Sequence, residues 1–310
     1  MQFFLSYLKD FFKSIHPLLL LFCFVYAALI ILLNYRYGIE PKILYNISNR
    51  LQRFAGFYLV YFCAFFIPYL VLFLLRRTQV TDIKPLLVLV VVAPAIFALK
   101  VSFTGLSQLI EINISGPWGK YYGKIASLPS RLIIVMIPLL LIWWQGRYDK
   151  PFFGATLKGF DWKPYLVMLF IMIPVISWAS TQHDFLLTYP KMKQVDFIVP
   201  FSRTPWLQRC LFELSYGVDF ITIELFFRGF LVLAFVRYAG QEAILPMAVF
   251  YCSIHFGKPL AECISSFFGG ILLGILVYRT GSIVGGLMVH LGIAWMMEAG
   301  GYVGNFLRHR

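Results

Sequence analysis

Charge is what this sequence has least of. Of its 310 residues only 13% are Asp, Glu, Lys or Arg while 60% are apolar, and the mean hydropathy is +0.78. Soluble domains carry about 25% charged residues, so a water-solvated globule is excluded. Acidic residues are the scarcer sign, 14 against 27 basic, for a net charge of +13. The basic residues are dispersed between apolar runs rather than gathered on one polar face, which excludes nucleic acid as a partner. Anionic lipid headgroups are the simpler one. Cysteine is sparse and odd in number: Cys23, Cys63, Cys210, Cys252 and Cys263, without C-x-x-C spacing. That excludes a disulfide framework, and the five are expected to be buried packing residues. No linker rich in Pro, Gly or Ser divides the chain, and there is no repeat or low-complexity tract. A single membrane domain over residues 1–310 is therefore expected.

Long apolar runs are abundant. A bilayer-crossing helix needs about 20 mostly apolar residues, because its backbone must satisfy its own hydrogen bonds across roughly 30 Å of hydrocarbon. Candidate spans are residues 17–34, 54–75, 85–103, 128–144 and 163–180, then 210–236, 243–255, 260–278 and 282–297. The expected fold class is all-α, a polytopic integral membrane helical bundle of about 8–9 spans. Residues 1–13 alternate aromatics with Lys9, Asp10 and Lys13 ahead of a run too long for a signal peptide, and predict a short amphipathic interfacial helix. The connections 105–127 and 181–206 predict interfacial loops. Loops on both sides of the spans are basic, so the Lys/Arg bias sets no orientation. Short loops and the lack of a targeting sequence lead to the expectation of a bacterial inner membrane.

Ionisable groups inside hydrocarbon cost at least about 2.5–3.5 kcal/mol each and mark function or pairing. Four stand out in the back half: Glu224, Arg228, His255 and His290. On a helix, Glu224 and Arg228 are one turn apart and can form a charge-assisted pair. A carboxylate and two imidazoles gathered from three helices can deprotonate water and stabilise an oxyanion, or hold a divalent metal that does both. The same residues admit plainer readings, the pair as a structural brace and each histidine as an interfacial residue.

The order of these groups resembles the CPBP family, the CAAX-protease and bacteriocin-processing intramembrane proteases. The carriers are Ile223-Glu224-Leu-Phe-Phe-Arg228-Gly229, then Tyr251-Cys-Ser-Ile-His255, then His290-Leu-Gly-Ile-Ala294. Between them a small-residue helix, residues 268–274, and a turn at Gly281 add to the likeness. The resemblance divides the chain into N-terminal spans and interfacial loops over 1–208 and a catalytic-type core over 209–298. It implies an intramembrane endopeptidase with Glu224 and His255 activating water, Arg228 holding Glu224 and His290 steadying the oxyanion. Substrates in the family range from prenylated proteins to bacteriocin precursors, so a peptide or lipidated protein is implied as partner.

Two positions depart from the family pattern. Its first glutamate is Ile223 here, and the polar residue one turn after the third-motif histidine is Ala294. An absent oxyanion donor costs about 100 to 1,000-fold in rate, so a catalytically degenerate member that binds or scaffolds partners is the alternative. A transporter would spread ionisable residues over many spans, and the front-half spans are read as lacking them. No nearby acid replaces the missing glutamate. Asp219 is turned about 140° from Glu224 and Glu213 lies about 16 Å away along the helix. Glu298 is too far along its own helix, and Glu262 reads as an interfacial carboxylate.

Overall fold

The structure is a computed structural model that describes residues 2–75, 83–148 and 151–308. Residues 76–82 and 149–150, which belong to two of the basic connections, lie outside the described residues. All regular structure among the described residues is helical. Helices α1 (Gln2–Ser14), α2 (Pro17–Tyr37), α3 (Arg50–Leu75), α4 (Ile83–Ser102), α5 (Gly105–Asn113), α6 (Gly116–Gly146), α7 (Lys163–Ala179) and α8 (His183–Thr188) make the front of the chain. Helices α9 (Pro205–Glu224), α10 (Val236–Ala239), α11 (Ile244–Ser253), α12 (Leu260–Thr280) and α13 (Val284–Arg308) make the back.

Five helical stretches are long and apolar enough to cross a membrane: Pro17–Tyr37, Arg50–Leu75, Ile83–Asn113, Gly116–Gly146 and Leu260–Thr280. A sixth would be α7 with the residues 183–201 that follow, bent by 97° at the break. The protein is an all-α polytopic integral membrane protein. The other stretches expected to span fall below that measure for visible reasons. Residues 205–224 include Arg209, Glu213, Asp219 and Glu224, and α11 has only 10 residues.

The chain forms two compact units, neither of them contiguous: Met1–Phe103 with Ile137–Phe160 and Glu224–Gly286, and Thr104–Met136 with Asp161–Ile223 and Leu287–Arg310.

The first unit is built on rings. Helix α2 buries Leu19, Cys23, Ala27 and Ile31, one residue per turn, and leaves Leu18, Leu21, Val25 and Leu32 exposed. A helix apolar all round with one packed stripe suits hydrocarbon on its remaining face. Helix α3 buries Phe57, Tyr61, Phe65 and Tyr69 at the same spacing. Tyr61 lies 5.6 Å from Phe97 of α4 and 5.3 Å from Phe250 of α11, and Phe65 lies 5.5 Å from both Phe235 and Phe250. Such pairs contribute about 0.5–1.5 kcal/mol each beyond their area. Truncation of Phe250 to alanine is expected to cost about 3–5 kcal/mol, read as a lowered unfolding midpoint in detergent. An unchanged midpoint would remove this ring cluster from the core.

The expected small-residue packing is present: a methyl group on Gly270 would meet the Ala248 Cα at 3.3 Å, and one on Gly274 would meet Ile244 and Met247 at 2.9 Å. Gly281 ends α12 with φ 68° and donates its N–H to the Val277 carbonyl at 2.8 Å, the turn read from the sequence.

In the second unit, Tyr121 of α6, Val195 and Ile198 of the 3-10 segment Lys191–Phe201, and Phe212 of α9 form a buried cluster. Tyr121 donates its hydroxyl to the Gln208 carbonyl at 3.0 Å.

Three expectations need correction. The connections 105–127 and 181–206 are largely helical rather than loops. Gly119 lets α6 begin at Gly116, because a Cβ there would stand 1.7 Å from the Ile114 carbonyl oxygen. Of the cysteines, Cys23, Cys252 and Cys263 are buried, Cys63 is half-buried and Cys210 is exposed, two residues from buried Phe212 and so on the other side of α9. The front half does carry an ionisable residue within a span: Lys100, buried in the last turn of α4 with its ammonium 4.8 Å from the Phe97 ring centroid. A cation at a helix C-terminus over an aromatic face is stabilised twice.

Candidate active site

Helix α9 ends at Glu224, and the chain continues as a π-helical segment, Leu225–Ala234, whose residues are almost all buried. π-Helical turns are rare and gather at functional sites. The widened turn seats a large charged side chain among phenylalanines. Arg228 has no exposure, and neither has Glu224. The Arg228 Nη1 stands 3.2 Å from Glu224 Oε1, so each charge compensates the other where water cannot. The guanidinium also lies over the face of Tyr251, 3.9 Å from its centroid, within cation–π range. The residue after Arg228 is Gly229, where a Cβ would come 2.6 Å from the Phe153 carbonyl oxygen. At Gly286 a Cβ would come 2.5 Å from Glu224 Oε2. Both glycines are required by close approach.

Tyr251 connects the ion pair to the histidine. His255 follows α11 in a turn, with its ring 4.7 Å from the Tyr251 ring and its Nδ1 2.9 Å from the Tyr251 carbonyl oxygen. A carbonyl can only accept, so Nδ1 carries the proton. With its proton on Nδ1, the neutral ring carries its lone pair on Nε2, the form a general base requires.

Of the four residues singled out in the sequence, Glu224, Arg228 and His255 thus lie in the first unit. His290 lies in the second, where its ring meets Phe220 edge-on at 4.8 Å. Ile223 and Ala294, the two departures, are buried. Among the described residues no group of three or more His, Cys, Asp or Glu side chains is placed to hold a metal ion.

Three of the other acids weighed in the sequence have structural partners. Asp219 is 3.6 Å from Arg131, and Glu262 pairs with Lys258 at 3.3 Å. Glu298 accepts the backbone N–H groups of Lys191 and Met192 at 2.7 and 3.1 Å, a carboxylate at the start of a helical segment. Tyr251 as a link between Arg228 and His255 was legible only as the aromatic residue four before the histidine.

A buried carboxylate held by arginine, linked through Tyr251 to a histidine on an all-helical membrane scaffold, forms the candidate site. Residues 206–296 match the family model described as type II CAAX prenyl endopeptidase Rce1-like. The match takes in all three motifs and bears out the resemblance to the CPBP family. No curated protein and no solved structure matches the chain.

Proposed function

We propose that this protein is an intramembrane endopeptidase of the CAAX-protease type, which hydrolyses a peptide bond in a membrane-associated peptide or lipidated protein. The observation that carries the reading is the continuous contact from Glu224 through Arg228 and Tyr251 to His255. In this mechanism His255 Nε2 takes a proton from water as the resulting hydroxide attacks the scissile carbonyl. The imidazolium so formed then returns a proton to the leaving amine. Glu224 supplies negative charge that favours the imidazolium, and Arg228 fixes the carboxylate. The resemblance assigns the oxyanion to His290, an assignment that rests on the motif alone. No step is routed through a metal.

A second reading, a member of the family that binds or scaffolds partners without cutting them, is favoured by one specific feature. Ile223 and Ala294 place buried aliphatic groups where the family carries polar ones. The two readings separate on substrate. Incubation of the reconstituted protein with a farnesylated and an unmodified C-terminal peptide, with and without chelator, should yield new peptide ends by mass spectrometry. Binding without cleavage, in folded protein, would favour the second reading.

A further inference from the structure

The turn that carries His255, residues 254–259, is held by residues more than two hundred positions earlier in the chain. Asn34, buried in the last turn of α2, donates its Nδ2 to the Phe256 carbonyl at 2.9 Å. The neighbouring Tyr35 donates its hydroxyl to the Lys258 carbonyl at 2.5 Å. Gly38 then ends α2 in the left-handed region, φ 66°, with its N–H on the Asn34 carbonyl at 2.7 Å. That turn folds the π-helical segment Ile39–Leu44 back on the helix end, so that the Glu40 N–H reaches the Asn34 Oδ1 at 3.0 Å. Asn34 therefore uses both ends of its amide, one on each side of the junction. Glu40 itself is buried, and a Cβ on Gly257 would stand 3.0 Å from its Oε1. Lys258, whose ammonium pairs with Glu262 at 3.3 Å, also lies within electrostatic reach of Glu40.

We infer that Asn34, Tyr35 and Glu40 form a clamp of positioning residues that holds the 254–259 turn and thereby aims His255. The inference rests on the reading of His255 as the base. Its physical reason is that the turn has only short-range backbone bonds of its own, His255 N–H to the Cys252 carbonyl at 3.0 Å and Lys258 N–H to the His255 carbonyl at 3.0 Å, in place of a helix ladder. Two backbone carbonyls on either side of Gly257, each bonded to a separate side chain, tie it to the end of α2 as well. Burial pushes the Glu40 carboxyl up to about 8, against Tyr45, Lys258 and the Gly257 N–H, which lower it. Tyr61 of α3 and Cys263 of α12 are the other titratable groups facing it. Glu40 keeps its proton below that pH, and above it the clamp contains a buried charge and loosens.

The test follows the His255 ring by nitrogen NMR on the full chain in lipid nanodiscs, the signal being assigned with His255→Ala. Wild type should give the single Nδ1–H tautomer. Asn34→Ala and the milder Tyr35→Phe, which deletes one hydroxyl at the exposed edge, should each give mixed or broadened His255 tautomers and leave His290 unmoved. Catalytic turnover should fall about tenfold to a hundredfold in Asn34→Ala with KM unchanged, and less in Tyr35→Phe. Turnover in wild type should also fall as pH rises through about 8, a step that Glu40→Gln removes. If Asn34→Ala does not fold, Tyr35→Phe carries the test. Folded variants with a His255 signal identical to wild type would overturn the clamp whatever the activity. A wild type that cuts nothing, while the variants still shift His255, would sink the proteolytic reading and uphold the clamp.

Discussion

Replacement of Arg228 by methionine is expected to destabilise the protein by about 3–5 kcal/mol, the largest stability loss of any single polar substitution in the first unit. The side chain is fully buried, and its removal leaves Glu224 as an uncompensated charge among Phe226, Phe227 and Phe230. Methionine keeps most of the packing volume, so the loss reports charge rather than a cavity. The double variant Glu224→Gln, Arg228→Met should recover most of the loss, because a buried ion pair contributes little more than a well-packed neutral pair. Thermal unfolding of the four proteins in one detergent completes the cycle. A single variant as stable as wild type would show that the pair is not closed off from solvent.

The second large effect concerns rate rather than stability. His255→Ala is expected to lower peptide hydrolysis by about 100 to 10,000-fold, with the unfolding midpoint nearly unchanged. His255 is only half-buried and sits in a turn after α11, so truncation opens no core cavity. Its Nδ1 bonds the carbonyl of Tyr251, a residue otherwise held by the ring of Phe227 and the Arg228 guanidinium. Loss of rate and fold together would instead place His255 among the packing residues.

The helices were the most legible part of the chain, because apolar runs of membrane length leave the backbone no alternative. The stretches at 17–37, 50–75 and 260–280 lie within a few residues of the expected spans. Polar, aromatic connections were misread where a glycine allowed a tight helix–helix junction, as at Gly119, since composition alone does not tell an interfacial helix from a loop. At the site, Glu224 and Arg228 were legible from their spacing of four. The π-helical turn that seats them was not, because a run such as Leu-Phe-Phe-Arg-Gly-Phe-Leu satisfies either helix equally well. The pairing of Tyr251 with Arg228 and the hold of Asn34 and Glu40 on the His255 turn depend on contacts between distant segments. Local pattern carries no trace of them. The departures at Ile223 and Ala294 were plain in the sequence, and both side chains pack as apolar residues do.

The most direct measurement is cleavage of a membrane peptide by wild type beside Glu224→Gln, in matched proteoliposomes made with heavy-oxygen water. Wild type is expected to release a product whose new carboxylate carries the heavy oxygen, and Glu224→Gln, still folded, at most a trace. Equal cleavage by the two proteins, or none by a folded wild type, would contradict the proposed mechanism.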